Sequence, residues 1–200
     1  ATPGQSGGAG ASVLRDGTIF IALGQQLLAL DAKTGCAKWT YAGSTRSTPA
    51  IGEIGSRKVV TLAIGSDVHV LDASTGALVW KASWQPIKGA GGHVRGGVIF
   101  AKDKIIVPVS SSGSTSGSKP DFEGCTGHGT VVALSAADGK HVWEYHTKPD
   151  AQYNGQISSL GVKQKGPSGA AIWSVPVFDA KRNRVVVTTG PALAPDEIRA

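Results

Sequence analysis

The sequence predicts an all-β chain assembled from repeated antiparallel sheets, on three observations. Twenty-eight glycines and ten prolines punctuate 200 residues of which only 17% are charged, and Val, Ile, Thr and Ser fill the intervals. This is the balance of short pleated strands joined by tight turns, not of helices or a disordered chain. An eleven-residue frame recurs three times, and each copy follows a second β-rich run.

The copies are Ala29–Trp39, Val70–Trp80 and Ala133–Trp143. They share a small residue, Leu, Asp or Ser, Ala, two variable positions, Gly, three variable positions and Trp. The frame reads as a β-hairpin. An alternating strand such as Asp67–Leu71 enters a turn whose glycine (Gly35, Gly76, Gly139) takes a positive φ. Asp31, Asp72 or Ser135, just before the turn, can accept hydrogen bonds from local amides. The returning strand is expected to end at the Trp, so that Trp39, Trp80 and Trp143 pack against a neighbouring sheet.

The preceding runs, Thr18–Leu23, Lys58–Ile64 and Lys104–Val109, complete units of four short antiparallel strands. The tryptophans lie 41 and 63 residues apart, the longer interval holding a Ser- and Gly-rich insertion, Ser110–Thr126. A fourth unit is expected from Ile172–Phe178, a polar turn at Asp179–Asn183, and Val185–Thr189. Radial repetition of such sheets is a β-propeller, which protects strand edges. At roughly 40–50 residues per blade the chain holds about four. Residues 1–200 are read as part of one propeller domain, with the further blade starting near residue 166.

The net charge of +6 and pI near 9.5 raise nucleic acid as a partner. The cations are scattered through turns, at Lys33, Lys58, Lys81, Lys102 and Lys140, with no basic run interleaved with aromatics, so none is expected. No segment approaches the ~18 apolar residues of a membrane span. The start at Ala1-Thr2-Pro3 fits a mature, trimmed or excerpted chain. Cys36 and Cys125 fit one disulfide or two thiols. The five histidines lack metal-ligand spacing and are read as surface or strand residues. Gly7-Gly8 and Gly89–Gly92 read as turns, not dinucleotide loops. Gly166-Pro167-Ser168-Gly169 is not a nucleophile elbow.

The tandem Ala-x-Asp-x-x-x-Gly-x-x-x-Trp motifs resemble the tryptophan-docking repeat of the propeller dehydrogenases that depend on pyrroloquinoline quinone (PQQ). Gly166–Ser174, and Asp31–Cys36 followed by Trp39, resemble segments of the polyvinyl-alcohol dehydrogenase branch. The resemblance runs roughly from residue 18 to 190. It implies an eight-bladed propeller with PQQ and calcium on the axis. It further implies a small-molecule or polymeric alcohol oxidised by hydride transfer to the quinone, a cytochrome as electron acceptor, and a periplasmic or secreted location. On this resemblance Trp173 is the indole floor under the quinone, Arg46 the neighbouring guanidinium, and Ser110 and Ser111 the small polar pair lining the site.

Departures from the family accompany these matches. Gly113 stands where the family supplies a Glu calcium ligand, and Pro191 where it supplies an Asn; neither has a side-chain oxygen. Gly124 replaces the first of two adjacent cysteines, Arg95 replaces a threonine, and Glu123 is the remaining candidate metal ligand. The family's aspartate base falls outside this chain. About four of eight blades imply an excerpt, a homo-oligomer completing the ring, or a smaller ring. Two functions are carried forward. One is a PQQ-dependent alcohol dehydrogenase or a fragment of one. The other is a propeller that has lost its metal and cofactor site and serves as a binding, scaffold or assembly-forming protein.

Overall fold

One antiparallel four-stranded sheet forms around each copy of the frame. The structure, a computed structural model, describes residues 10–45, 47–88, 92–111, 121–124, 126–190 and 192–193, and no described residue is helical. The first sheet is β1 (Val13–Arg15), β2 (Thr18–Leu23), β3 (Gln26–Asp31) and β4 (Ala37–Ala42), hydrogen-bonded in that order. The second is β5 (Ala50–Ile54), β6 (Arg57–Ile64), β7 (Asp67–Asp72) and β8 (Leu78–Ser83). A short strand, β9 (Gly92–His93), precedes the third sheet: β10 (Ile99–Ala101), β11 (Lys104–Ser111), β12 (Thr130–Ser135) and β13 (His141–His146).

A hairpin, β14 (Gln152–Ile157) with β15 (Lys163–Gly166), and β16 (Ser168–Gly169) follow. The fourth unit is the two-stranded hairpin β17 (Val177–Asp179) and β18 (Arg184–Val186), and β19 (Ala192–Leu193) pairs β16. Both strands of this unit are shorter than the sequence suggests. Pro176 has no N–H to offer a ladder, and the stretch before it bonds elsewhere, Gly190 N–H donating to the Ala171 carbonyl at 2.8 Å.

The turns form as expected. Asp31 Oδ1 accepts the amides of Lys33 and Thr34, and Asp72 Oδ1 those of Ser74 and Thr75, all at 3.0 Å. Gly35, Gly76 and Gly139 have φ of 72°, 74° and 72°, left-handed values that a Cβ penalises. The tryptophans do not end their strands: each is the third residue of β4, β8 or β13. That placement lets the indole reach the next sheet's turn. Trp39 Nε1–H donates to the Ala73 carbonyl at 3.2 Å and Trp80 Nε1–H to that of Ala136 at 3.0 Å. Trp143 has no such turn beside it among the described residues, because the fourth unit there has only two strands, and it stays 36% exposed.

Strand alternation builds the core between sheets. In β6, Val59 and Ala63 face the third sheet while Val60 and Leu62 face the first. In β11 and β12, Ile105, Val107, Val132 and Leu134 face the second sheet, whereas Ile106, Val131 and Ala133 face Ile172, Phe178 and Val185 of the fourth unit. These strands are buried on both faces and therefore read as continuous apolar runs, with residue parity deciding which neighbour each side chain meets. Trp84 is also core, 1% exposed, with its N–H on the Gly65 carbonyl at 3.1 Å; it belongs to no copy of the frame.

Candidate functional site

The segments that lead into the inner strands of the sheets converge at one end of the molecule. Thr48 N–H donates to the Gly96 carbonyl at 3.0 Å, and Thr48 pairs with Gly97 in a parallel bridge. Ala11 N–H reaches Thr48 Oγ1 at 3.3 Å. A Cβ on Gly97 would stand 2.9 Å from Thr48 Cβ and 3.3 Å from Val175 Cγ2. Thr48, Gly97 and Val175 thus occupy equivalent places in successive units, and the residues two positions before them in sequence are Arg46, Arg95 and Trp173.

A cavity of about 310 Å³ opens here, lined by Ser44, Thr45, Ala63, Gly65, His93, Val94 and Arg95, at the small end of ligand-pocket sizes. Thr45 fixes its wall: 8% exposed, it donates its hydroxyl to the Ala63 carbonyl at 2.5 Å and accepts the Ser47 amide at 2.9 Å. Ser110 is 3% exposed and pairs with His93 through β11 and β9, and Ser111 pairs with Gly92. The expected serine pair is therefore brought beside the strand that carries His93 into the cavity. Trp173 is 58% exposed, with its six-membered ring over Gly190, where a Cβ would lie 3.2 Å from Cζ2. Such an accessible flat face suits stacking by an aromatic ligand. Arg46, Gly113, Cys125 and Pro191 lie outside the described residues. Cys36 is exposed and free.

Glu123 is committed elsewhere. Its carboxylate pairs with Lys165 Nζ, its carbonyl accepts the Lys165 amide at 2.6 Å, and Phe122 beside it accepts from Gln164 Nε2 at 3.0 Å. These bonds clasp residues 121–124 to β15. Gly124, at φ 94°, leaves no space for a side chain, since a Cβ would be 2.6 Å from the Lys165 carbonyl oxygen. A cysteine at this place would clash with backbone.

A calcium site needs six or more oxygens, several from carboxylates. Among the described residues no group of three or more His, Cys, Asp or Glu side chains is placed to hold a metal. The cavity wall has hydroxyls but no carboxylate, and it carries a guanidinium. The described donor set does not fit calcium. The wall instead offers the Arg95 guanidinium and the hydroxyls of Ser44 and Thr45, groups that suit an anion.

A polar cluster that sequence reasoning missed lies on the third sheet. His128, read from the sequence as a surface or strand residue, is 2% exposed and within 2.7 Å (Nε2 to Nδ1) of His146. His146 Nε2 meets Glu144 Oε1 at 3.1 Å, and His141 Nε2 meets Oε2 at 3.3 Å. Glu144 also accepts the amides of Ile87 (2.7 Å) and Lys88 (3.1 Å). With the His146 Nε2–H spent on Glu144, His146 Nδ1 accepts from His128, which leaves His128 Nδ1 as a buried lone pair without a partner. Burial, then the neighbouring His146, pushes the His128 pKa below the usual histidine value. Burial raises that of Glu144, but the Ile87 amide, His146 and the Lys88 amide outweigh it and hold the carboxyl below its usual range. Only the alternation of β13, which puts Glu144 and His146 on one face, could have hinted at it; His141 joins them across the bulge in the β12–β13 pairing.

The sequence pattern of the PQQ_2 family, described as outer membrane protein assembly factor BamB, matches residues 2–194. The chain is similar to a polyvinylalcohol dehydrogenase of a Pseudomonas species, 32% identical over 194 residues, covering 94% of this chain and 30% of that protein. It is also similar to the polyvinylalcohol dehydrogenase of a Sphingopyxis strain, 33% identical, covering 94% of this chain and 29% of the relative. The chain thus spans about a third of the length of the curated relatives it matches. Among solved structures, the quinohemoprotein alcohol dehydrogenase of Comamonas testosteroni superimposes with a TM-score of 0.62 at 20% identity, over 92% of this chain and 29% of that one; this likeness bears on the propeller fold. With blades, inter-blade tryptophans and sequence pattern in agreement, the chain belongs to the PQQ_2 propeller family.

Proposed function

We propose that this chain is the cofactor-binding part of a quinone-dependent alcohol dehydrogenase acting on a small or polymeric alcohol outside the cytoplasm, in a single propeller domain. The observation that carries the reading is the exposed indole of Trp173, backed by Gly190, at the place in the repeat that also holds Arg46 and Arg95. Bound PQQ would supply a two-electron acceptor for the alcohol's hydride. This chain's part is to stack the rings on Trp173, pair their carboxylates with Arg46 and Arg95, and present the hydroxyls of Ser110 and Ser111. The base, a cytochrome acceptor and the remaining blades belong to the reading as parts of the whole protein.

Trp173→Ala in the full-length protein tests it. Titration with PQQ, followed by absorbance, is expected to lose binding while the melting temperature holds, because the indole is more than half exposed. Unchanged quinone affinity would remove Trp173 from the site. A second reading, a propeller retained as an assembly scaffold, draws support from Glu123 being tied to Lys165 instead of open to a metal. It predicts no quinone uptake by the unmodified protein.

A further inference from the structure

Among the described residues, Arg95 is an unpaired cation in the wall of the cavity. Most described acids are spent on near neighbours: Asp16 on Lys58, Asp103 on Lys104, Asp138 on Lys140, Asp179 on Arg182, Glu123 on Lys165 and Glu144 on two histidines. Arg95 pairs with no carboxylate among the described residues, yet it lines a concave wall together with His93 and the hydroxyls of Ser44 and Thr45. A guanidinium held in a cleft without a counter-ion is a site for an anion, and its planar fork matches a carboxylate. The same charge repels a divalent cation.

The repeat gives a second, independent argument. Arg95 precedes Gly96-Gly97 as Trp173 precedes Ser174-Val175, and the backbone of Gly96 lies against Thr48 on one side and against Trp173 and Ser174 on the other, which makes these places equivalent around one axis. Arg95 therefore stands one blade away from the indole, at the same level of the molecule. A rigid ligand lying on the indole would have its acidic edge within the range of this cation.

We propose that Arg95, assisted by His93, binds a carboxylate of the ligand in this cavity directly, and that ligand binding here needs no calcium. The inference rests on the quinone reading and adds to it the means of recognition: a guanidinium–carboxylate pair in the role that a metal with its carboxylate cage would otherwise fill. Arg95 is then what selects an acidic ligand.

The test is titration of the full-length protein with PQQ, followed by tryptophan fluorescence and absorbance, in excess EGTA and in millimolar calcium. The expected result is one affinity under both conditions. Arg95→Thr is expected to weaken it about tenfold or more, the loss of a charge-assisted bidentate pair, with Arg95→Lys in between. Arg95 is exposed, so both variants should keep their fold, checked by circular dichroism. Binding lost in EGTA and restored by calcium overturns the inference and leaves the quinone reading standing. Equal affinity of the Thr variant and the parent removes Arg95 from the site. No binding under either condition overturns the reading and the inference together.

Discussion

The indole of Trp39 lies on Gly76 of the next blade so closely that a Cβ at that glycine would stand 2.7 Å from Cδ2 and Cε3. Gly35 holds the same place in the first blade's turn, at nearly the same φ, with nothing within 4 Å of its Cβ position. Gly35→Ala should therefore cost only backbone strain, about 1–2 kcal/mol. Gly76→Ala should cost about 1–3 kcal/mol more, by displacing the tryptophan. Urea denaturation of the two variants measures the difference, and equal losses would mean that the indole contributes nothing to blade docking.

The His128–His146–Glu144 chain sets an acid limit. A histidine whose pKa is lowered on folding carries fewer protons folded than unfolded, so its stabilisation is complete above the ordinary value of 6.5 and is lost as pH falls from there towards the lowered one. Glu144, also lowered, adds a second loss below 4.5. Melting temperature should fall on acidification below pH 6.5, and His128→Leu should flatten the first part of that fall. Asp150, which partly offsets the shift of His128, should deepen it when changed to Asn.

Glu144→Ala strips the acceptor from two amides and two imidazoles at once. With its side chain only 12% exposed, the loss should be about 2–3 kcal/mol. Hydrogen exchange should show the amides of Ile87 and Lys88 opening first; unchanged protection there would refute the arrangement.

Gly124→Cys, which would recreate a pair of adjacent cysteines, should destabilise the protein by at least about 1–3 kcal/mol, given a φ of 94° and a backbone oxygen 2.6 Å away. Thermal melting under reducing conditions separates this cost from any disulfide formed.

Thr45→Val should cost about 1–3 kcal/mol, since the Ala63 carbonyl and Ser47 amide would both lose their buried partner. Thr45→Ser should restore most of it, and denaturant titration reads both.

What was legible in the sequence is what repeats. The frame gave the turns, the glycines and the inter-blade tryptophans because three copies expose the shared constraint. Parity within β6 and β11 was legible only as unbroken apolar runs, and which neighbour Val59 or Val60 faces required the sheets. Trp84 escaped notice because it stands outside the frame. His128 escaped because its partner is eighteen residues away and is reached through the β12–β13 pairing, which no local spacing encodes. Trp173 is singled out through resemblance alone, and its equivalence in the repeat with Arg95 emerged only when the backbone placed Gly97 between Thr48 and Val175.

Gly97 also governs calibre. With Thr48 on one side and Val175 on the other, a missing side chain sets how near three inner strands approach, as a shim of zero thickness would. Even one methyl group there would wedge those strands apart at the mouth of the cavity. The spacing of the backbone segments that carry Arg95 and Trp173 is thus set by a buried residue with no side chain.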